Sequence, residues 1–209
     1  MKKDQISSQR NYSVVLIYHQ GESAWLLTIQ SPENPMWSGD THTFMDLYLL
    51  RHGKAEKTVP GGGIDDERPL SGRGKSEVRE IAAWMLSQGC VIDCIATSPL
   101  TRARETAEII AEVYPAARGP ELWQELSPGV EFDRLLCRIR EQHNTPSLLL
   151  IGHEPSMSTC IGRIISGSGN VRVVLKKGGL AKIVNFFPSE NSSGDLAWLL
   201  TPRHMRKSV

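Results

Sequence analysis

Arg51-His52-Gly53 is the tripeptide of this chain best suited to covalent chemistry. It follows the apolar run Asp46-Leu47-Tyr48-Leu49-Leu50, which reads as a buried strand delivering its last residues to the carboxyl edge of a sheet, where α/β folds build their sites. Neutral imidazole is a nucleophile near pH 7 because its ordinary pKa is about 6.5, and an adjacent guanidinium offers the rigid cationic fork that a phosphoryl group needs. Phosphoryl transfer to His52 is the chemistry this pairing points to. A strand-end histidine beside an arginine can equally be a surface cap, so its company matters.

Two further segments supply that company. Ser98-Pro99-Leu100-Thr101-Arg102-Ala103 follows the apolar run Val91 to Thr97, and its Ser-Pro pair punctuates the strand before good helix formers. Arg102 then falls in a first helical turn, among backbone N–H groups and the positive dipole end, where it adds to an anion site; the plain alternative is a solvent-exposed helix arginine. Ser147-Leu148-Leu149-Leu150-Ile151-Gly152-His153-Glu154-Pro155 is again an apolar strand ending at a histidine, with a helix expected from about Ser156 to Ile165. His153 alone could be an ordinary cap. Parallel strands of βαβ units all end on one edge, however, so three strands would each bring one cationic or imidazole group to the same place.

With these motifs the chain resembles the histidine phosphatase superfamily, which also holds the phosphoglycerate mutases, and most of all its small SixA-type phosphohistidine phosphatases. The resemblance covers about Met45 to Pro202. It runs in order through Leu-Tyr-Leu-Leu-Arg-His-Gly, Arg68-Pro69-Leu70-Ser71-Gly72-Arg73-Gly74, Ser-Pro-Leu-Thr-Arg-Ala, Gly-His-Glu-Pro and Lys177-Gly178-Gly179-Leu180-Ala181. It implies a phosphatase in which His52 is the nucleophile that becomes phosphorylated, Arg51 and Arg102 clamp the phosphate, and His153 forms the other half of the pocket. It further implies substrate contacts from Arg68 and Gly53, although a turn arginine paired with Asp65, Asp66 or Glu67 is an equal reading of Arg68. Glu125, in Gln124-Glu125-Leu126, sits where larger relatives carry the carboxyl that protonates an alcohol leaving group, and is the candidate acid. The short stretch from Val113 to Phe132 implies an open site, which favours phosphohistidine on a phosphotransfer protein over a small phosphorylated molecule. A phosphomutase and a non-catalytic phosphate-binding module are the remaining alternatives.

No metal or other cofactor is expected. The histidines at 19, 42, 52, 143, 153 and 204 show no His-x-x-x-His spacing, the cysteines no Cys-x-x-Cys spacing, and in-line transfer needs mainly positioned donors around the equatorial oxygens. Gly72-Arg73-Gly74-Lys75-Ser76 ends like a P-loop, but Pro69 stands where the first glycine is required, so it reads as a turn opening a helix capped at Leu70-Ser71. Ile81, Ala82, Met85 and Leu86 would form that helix's apolar face, with Trp84 nearby. Gly61-Gly62-Gly63 reads as a loop able to act as a flap.

A net charge of +1 over 209 residues excludes bulk attraction to nucleic acid or a membrane surface. Any positive potential must be local, at Arg51, Lys54, Arg68, Arg102 and Arg104, whereas Lys176, Lys177, Arg203, Arg206 and Lys207 read as solvated. Cys90, Cys94, Cys137 and Cys160 lack disulfide-scaffold spacing and read as reduced, partly buried thiols of a cytoplasmic protein. No run approaches the roughly 18 apolar residues that span a bilayer.

The elements that must position these groups follow from periodicity. Strands are expected at about Asp46 to Leu50, Val91 to Thr97 and Ser147 to Ile151. Helices are expected at about Gly72 to Gln88, Arg102 to Val113 and Phe132 to Gln142, with a proline-containing loop before the last of these. Leu180 to Phe186 and Leu196 to Leu200 form a hairpin adding antiparallel strands. The result is a three-layer α/β/α domain over residues 45–209, with a mostly parallel mixed sheet of the phosphoglycerate mutase-like kind. Residues 1–44 do not fit that scheme. Val14 to Tyr18 and Ala24 to Ile29 can pair as a hairpin on a sheet edge, and the segment reads as an extension from an upstream start that activity does not need.

Overall fold

The computed structural model describes residues 44–142, 144–167, 171–189 and 192–206, together with two short backbone segments at 13–16 and 27–30. The chain divides into two units, 1–41 and 42–209. In the first, β1 (Ser13–Leu16) pairs antiparallel with β2 (Leu27–Gln30), Ser13 opposite Gln30; the two apolar runs pair as expected, over shorter spans, but as a two-stranded sheet of their own instead of on a sheet edge. Tyr18, His19, Ala24, His42, His143 and Lys207, named above, lie outside the described residues.

In the second unit the order is β3 (Met45–Arg51), α1 (Gly72–Ser87), β4 (Cys94–Thr97), α2 (Thr101–Val113), β5 (Arg118–Leu122), α3 (Phe132–Arg140), β6 (Ser147–Gly152), α4 (Ser156–Ser166), β7 (Leu180–Phe187), β8 (Ser193–Leu200) and α5 (Pro202–Arg206). The sheet runs β5-β4-β6-β3-β7-β8, with the first four strands parallel and the last two antiparallel. Every described residue of β4 and β6 is buried, as a strand covered on both faces requires. The period of two then divides each strand between two cores. Leu47, Leu49, Leu148 and Leu150 pack on α3 and α4, whereas Tyr48, Leu50, Leu149 and Ile151 pack on α1 and α2. This is the three-layer α/β/α arrangement with a mixed, mostly parallel sheet.

Several local features depart from the expectation. β5 occupies what reads as a proline loop, because Gly119-Pro120 hides it; Pro120 has no N–H, a lack tolerable only on an edge strand, and the register slips beside it. β4 starts at Cys94 instead of Val91, since Val91 is exposed and Asp93 is hooked to Ser147 by its backbone N–H and its carboxylate. Leu86 is exposed, and Val78 and Trp84 take its place on the buried face of α1. The additional helix α5 buries Met205 and points Arg206 at Glu80, 3.5 Å away, so Arg206 is paired. Cys137 is exposed, unlike the other three thiols, and all four are free. No described helix is long and apolar enough to cross a membrane.

Candidate active site

Register brings the two histidines together. β3 and β6 are parallel neighbours with Arg51 opposite Gly152, so the next residues, His52 and His153, leave the sheet side by side. Their ring centroids lie 4.9 Å apart, and His52 N–H donates to Gly152 O at 3.1 Å. β4 flanks β6 on the other side, and Ser98 N–H donates to Ile151 O, carrying the Ser98-Pro99-Leu100 turn and the start of α2 to the same edge. Arg102 lies in the first turn of α2, with Leu100 as N-cap. It is buried rather than exposed, at 6% of its surface, comparable to His52 at 6% and His153 at 3%.

Hydrogen bonds fix the protonation of both rings. His52 Nδ1 lies 2.7 Å from Gly53 O, and a carbonyl only accepts, so Nδ1 carries the proton and Nε2 keeps the lone pair. His153 Nε2 lies 2.8 Å from Ser98 Oγ, which already accepts from Leu100 N–H at 3.3 Å; a hydroxyl so engaged donates to Nε2, which puts the His153 proton on Nδ1. Burial, followed by the charges of Arg102, Arg51 and Lys177, pushes the His52 pKa down to about 4 despite the opposing Gly53 bond. Burial, followed by His52, Arg102 and Arg51, pushes His153 down to about 3. Both rings are therefore neutral at pH 7.

The arginines share one pattern. Arg51 Nη1 donates to Leu175 O at 3.0 Å, Arg68 Nη1 donates to Glu56 O at 3.1 Å, and Arg102 Nη1 donates to Asp65 O at 2.9 Å. In each case Nε is buried without a protein partner, and so is His153 Nδ1. Buried N–H donors are costly to leave unpaired, so three guanidinium nitrogens and one imidazole nitrogen in this state make a site that an oxyanion would complete. Donors of this kind bind oxyanions and cannot ligate a cation.

The remaining expected residues fall out differently. The turn pairing of Arg68 is present, with Nη2 2.8 Å from Asp65 Oδ1, and it leaves Arg68 Nε as one of the unpartnered donors. Gly53, expected to touch substrate, has its N–H donated to Thr106 Oγ1 at 3.1 Å and its carbonyl taken by His52, so its backbone orients the His52 ring. A side chain at Gly53 would meet Val78 at 2.7 Å, which explains the glycine. Glu125 is half-buried in a 3-10 turn, Gln124–Leu126, that packs beside Gly152 at the end of β6. The Gly61-Gly62-Gly63 segment has positive φ throughout and is exposed, within a loop whose ends are pinned by the Ala55–Leu70 bridge.

Three contributors escaped the sequence reading, and a fourth, Asp65, enters it only as one of three partners for Arg68. Lys177 is not merely solvated: its turn wraps the end of β3, Gly178 N–H donating to Arg51 O, and its charge acts on His52. Thr106 Oγ1 joins Gly53 N to Arg102 O, the latter at 2.7 Å. Ser98 sets the His153 tautomer, and Asp65 grips two arginines. The i, i+4 spacing of Arg102 and Thr106 and the i, i+3 spacing of Asp65 and Arg68 were the available signals.

Comparison with known proteins shows the family. The model of the histidine phosphatase superfamily (branch 1) matches residues 47–146. An uncharacterized protein of Picosynechococcus sp. is 32% identical over 138 residues, 65% of this chain and 82% of that protein. The phosphohistidine phosphatase SixA of Escherichia coli is 23% identical over 164 residues, covering 78% of this chain and 97% of the relative. The chain belongs to the histidine phosphatase superfamily and is a phosphatase, a hydrolase of that class. Its fold is shared with a solved structure of the protein histidine phosphatase SixA complexed with tungstate, at TM-score 0.66 and 23% identity over 77% of this chain and 99% of that one. It is shared less closely with the alpha-ribazole phosphatase of Shigella flexneri, at TM-score 0.57 and 17% identity over 76% of this chain and 97% of that one.

Proposed function

We propose that the protein is a metal-independent phosphatase that works through phosphorylated His52 and removes phosphate from phosphohistidine on a phosphotransfer protein in the cytoplasm. The observation that carries this reading is the set of buried, unpartnered donors, Nε of Arg51 and Arg102 and Nδ1 of His153, grouped with a histidine whose free lone pair is on Nε2. In this mechanism Nε2 of His52 attacks phosphorus in line. The new N–P bond forms as the substrate's P–N bond breaks, and the departing imidazole leaves with a proton it can acquire beforehand from water. Arg51, Arg102 and His153 neutralise the equatorial oxygens without reorganising, which is where most of the rate comes from in such transfers. Water then attacks the phosphohistidine, releasing phosphate and regenerating His52.

A protein substrate is supported by the connection from α2 to α3, which is consumed by β5 and the Gln124–Leu126 turn and so contributes no long covering segment. The same outline supports doing without a dedicated acid, leaving Glu125 a secondary candidate for esters. The second reading, a phosphatase of small phosphate esters, is favoured by the likeness to the alpha-ribazole phosphatase fold. Incubation with a 32P-labelled histidine phosphotransfer domain, followed by an alkaline quench, is expected to trap label on the protein and not on His52→Ala. Parallel turnover of a panel of small esters decides between the readings: a large preference for one ester defeats the protein substrate, and unaltered turnover by His52→Ala defeats the mechanism.

A further inference from the structure

One carboxylate organises two of the arginines. Asp65 Oδ1 lies 2.8 Å from Arg68 Nη2, Oδ2 lies 3.3 Å from Arg102 Nη2, and the Asp65 carbonyl accepts from Arg102 Nη1 at 2.9 Å. Both Nη groups of Arg102 are thereby engaged by Asp65, whose charge also acts on His153, and Nε is the buried donor left over. A guanidinium offers a phosphoryl group either its end or its side in fork geometry, and closing the end leaves the side. Asp65 can hold this position because its loop is anchored independently: Ala55 and Leu70 bridge its ends, and Leu70 N–H donates to Glu105 Oε2 at 2.6 Å on α2 itself.

Resting on the phosphatase reading above, we propose that Asp65 is a positioning residue of the phosphate site, tying Arg68 to Arg102 and fixing the edge with which Arg102 meets the transferring group. Exposure separates this role from a structural one. The Asp65 side chain is 65% exposed and that of Arg102 only 7%, so the pair contributes little to global stability, while freeing a buried arginine to rotate disturbs the site directly.

The test compares orthophosphate inhibition, kcat and KM for the wild-type chain, Asp65→Asn, Asp65→Ser, Asp65→Glu and Arg102→Ala. Asp65→Asn and Asp65→Ser are expected to melt within a few degrees of wild type, bind orthophosphate about tenfold more weakly and lose about tenfold or more in kcat, with Asp65→Glu recovering part of both. Orthophosphate binding that is unchanged in Asp65→Asn overturns the proposal. So does tighter binding, which would make the carboxylate a competitor for the anion, and so does unfolding of both neutral variants. Arg102→Ala separates the two levels: if it too binds orthophosphate normally, the phosphate-site reading fails, whereas if it loses binding and Asp65→Asn does not, only the role of Asp65 fails.

Discussion

The depressed pKa of His52 makes a sharp prediction. At about 4, against an ordinary value of about 6.5, the ring is about 97% neutral at pH 5.5, where a solvated imidazole is about 10% neutral. Titration of 15N-histidine-labelled protein from pH 8 to 4 should show His52 holding one neutral tautomer, protonated at Nδ1, well below pH 6, with His153 behaving alike. Burial is the first cause and the arginine charges follow, so Arg51→Met should raise the His52 value only part of the way and leave it below 6.5. The shift has a stability counterpart whose sign follows from proton counting. Between about pH 4 and 6.5 the unfolded chain binds more protons than the folded one, so this contribution is fully present above pH 6.5 and is lost as pH falls toward 4. For His52 the gap corresponds to about 3 kcal/mol, with His153 acting in the same direction. Urea unfolding of wild type against His52→Asn between pH 7 and 4.5 should reveal a shallower acid loss in the variant. An imidazole at position 52 that titrates between 6 and 7, or that carries its proton on Nε2, refutes the reasoning.

Three further outcomes are expected. Thr106→Val conserves shape but strips the Gly53 N–H of its acceptor, which should cost about 1–3 kcal/mol in urea unfolding and lower kcat more than it changes KM; unaltered kcat would remove Thr106 from the support of His52. Gly74→Ala should destabilise, despite alanine's better helix propensity, because a Cβ there meets Lys54 O at 2.0 Å; a higher melting temperature would contradict the close approach of α1 to that backbone. Residues 1–44 are proposed to be dispensable, so a chain beginning at Met45 should fold and turn over phosphohistidine like the full chain, and loss of either would make the extension part of the enzyme.

Legibility tracked local physics. The alternation that splits β3 between two cores and the apolar runs ending at Arg51 and Gly152 are visible in the chain because burial on both faces demands them. The Ser71 cap was equally visible, its side chain accepting from Gly74 N–H as a helix start requires. β5 was not, because an exposed edge strand containing Pro120 carries neither apolar run nor period. Nor was the charge of Lys177 on His52, since a lysine in a glycine turn looks solvated until the turn folds across the end of β3.

The sequence alone determined which groups could do chemistry and at which strand ends they stand, because residue type and apolar periodicity are properties of the chain itself. Tertiary structure alone decided that β6 lies beside β3 in the register that sets His153 against His52. It also decided that Ser98, Gly53 and Asp65 select the tautomers and guanidinium edges presented. The physical reason is that desolvation and hydrogen-bond geometry belong to an enclosure, and an enclosure exists only once distant segments have packed.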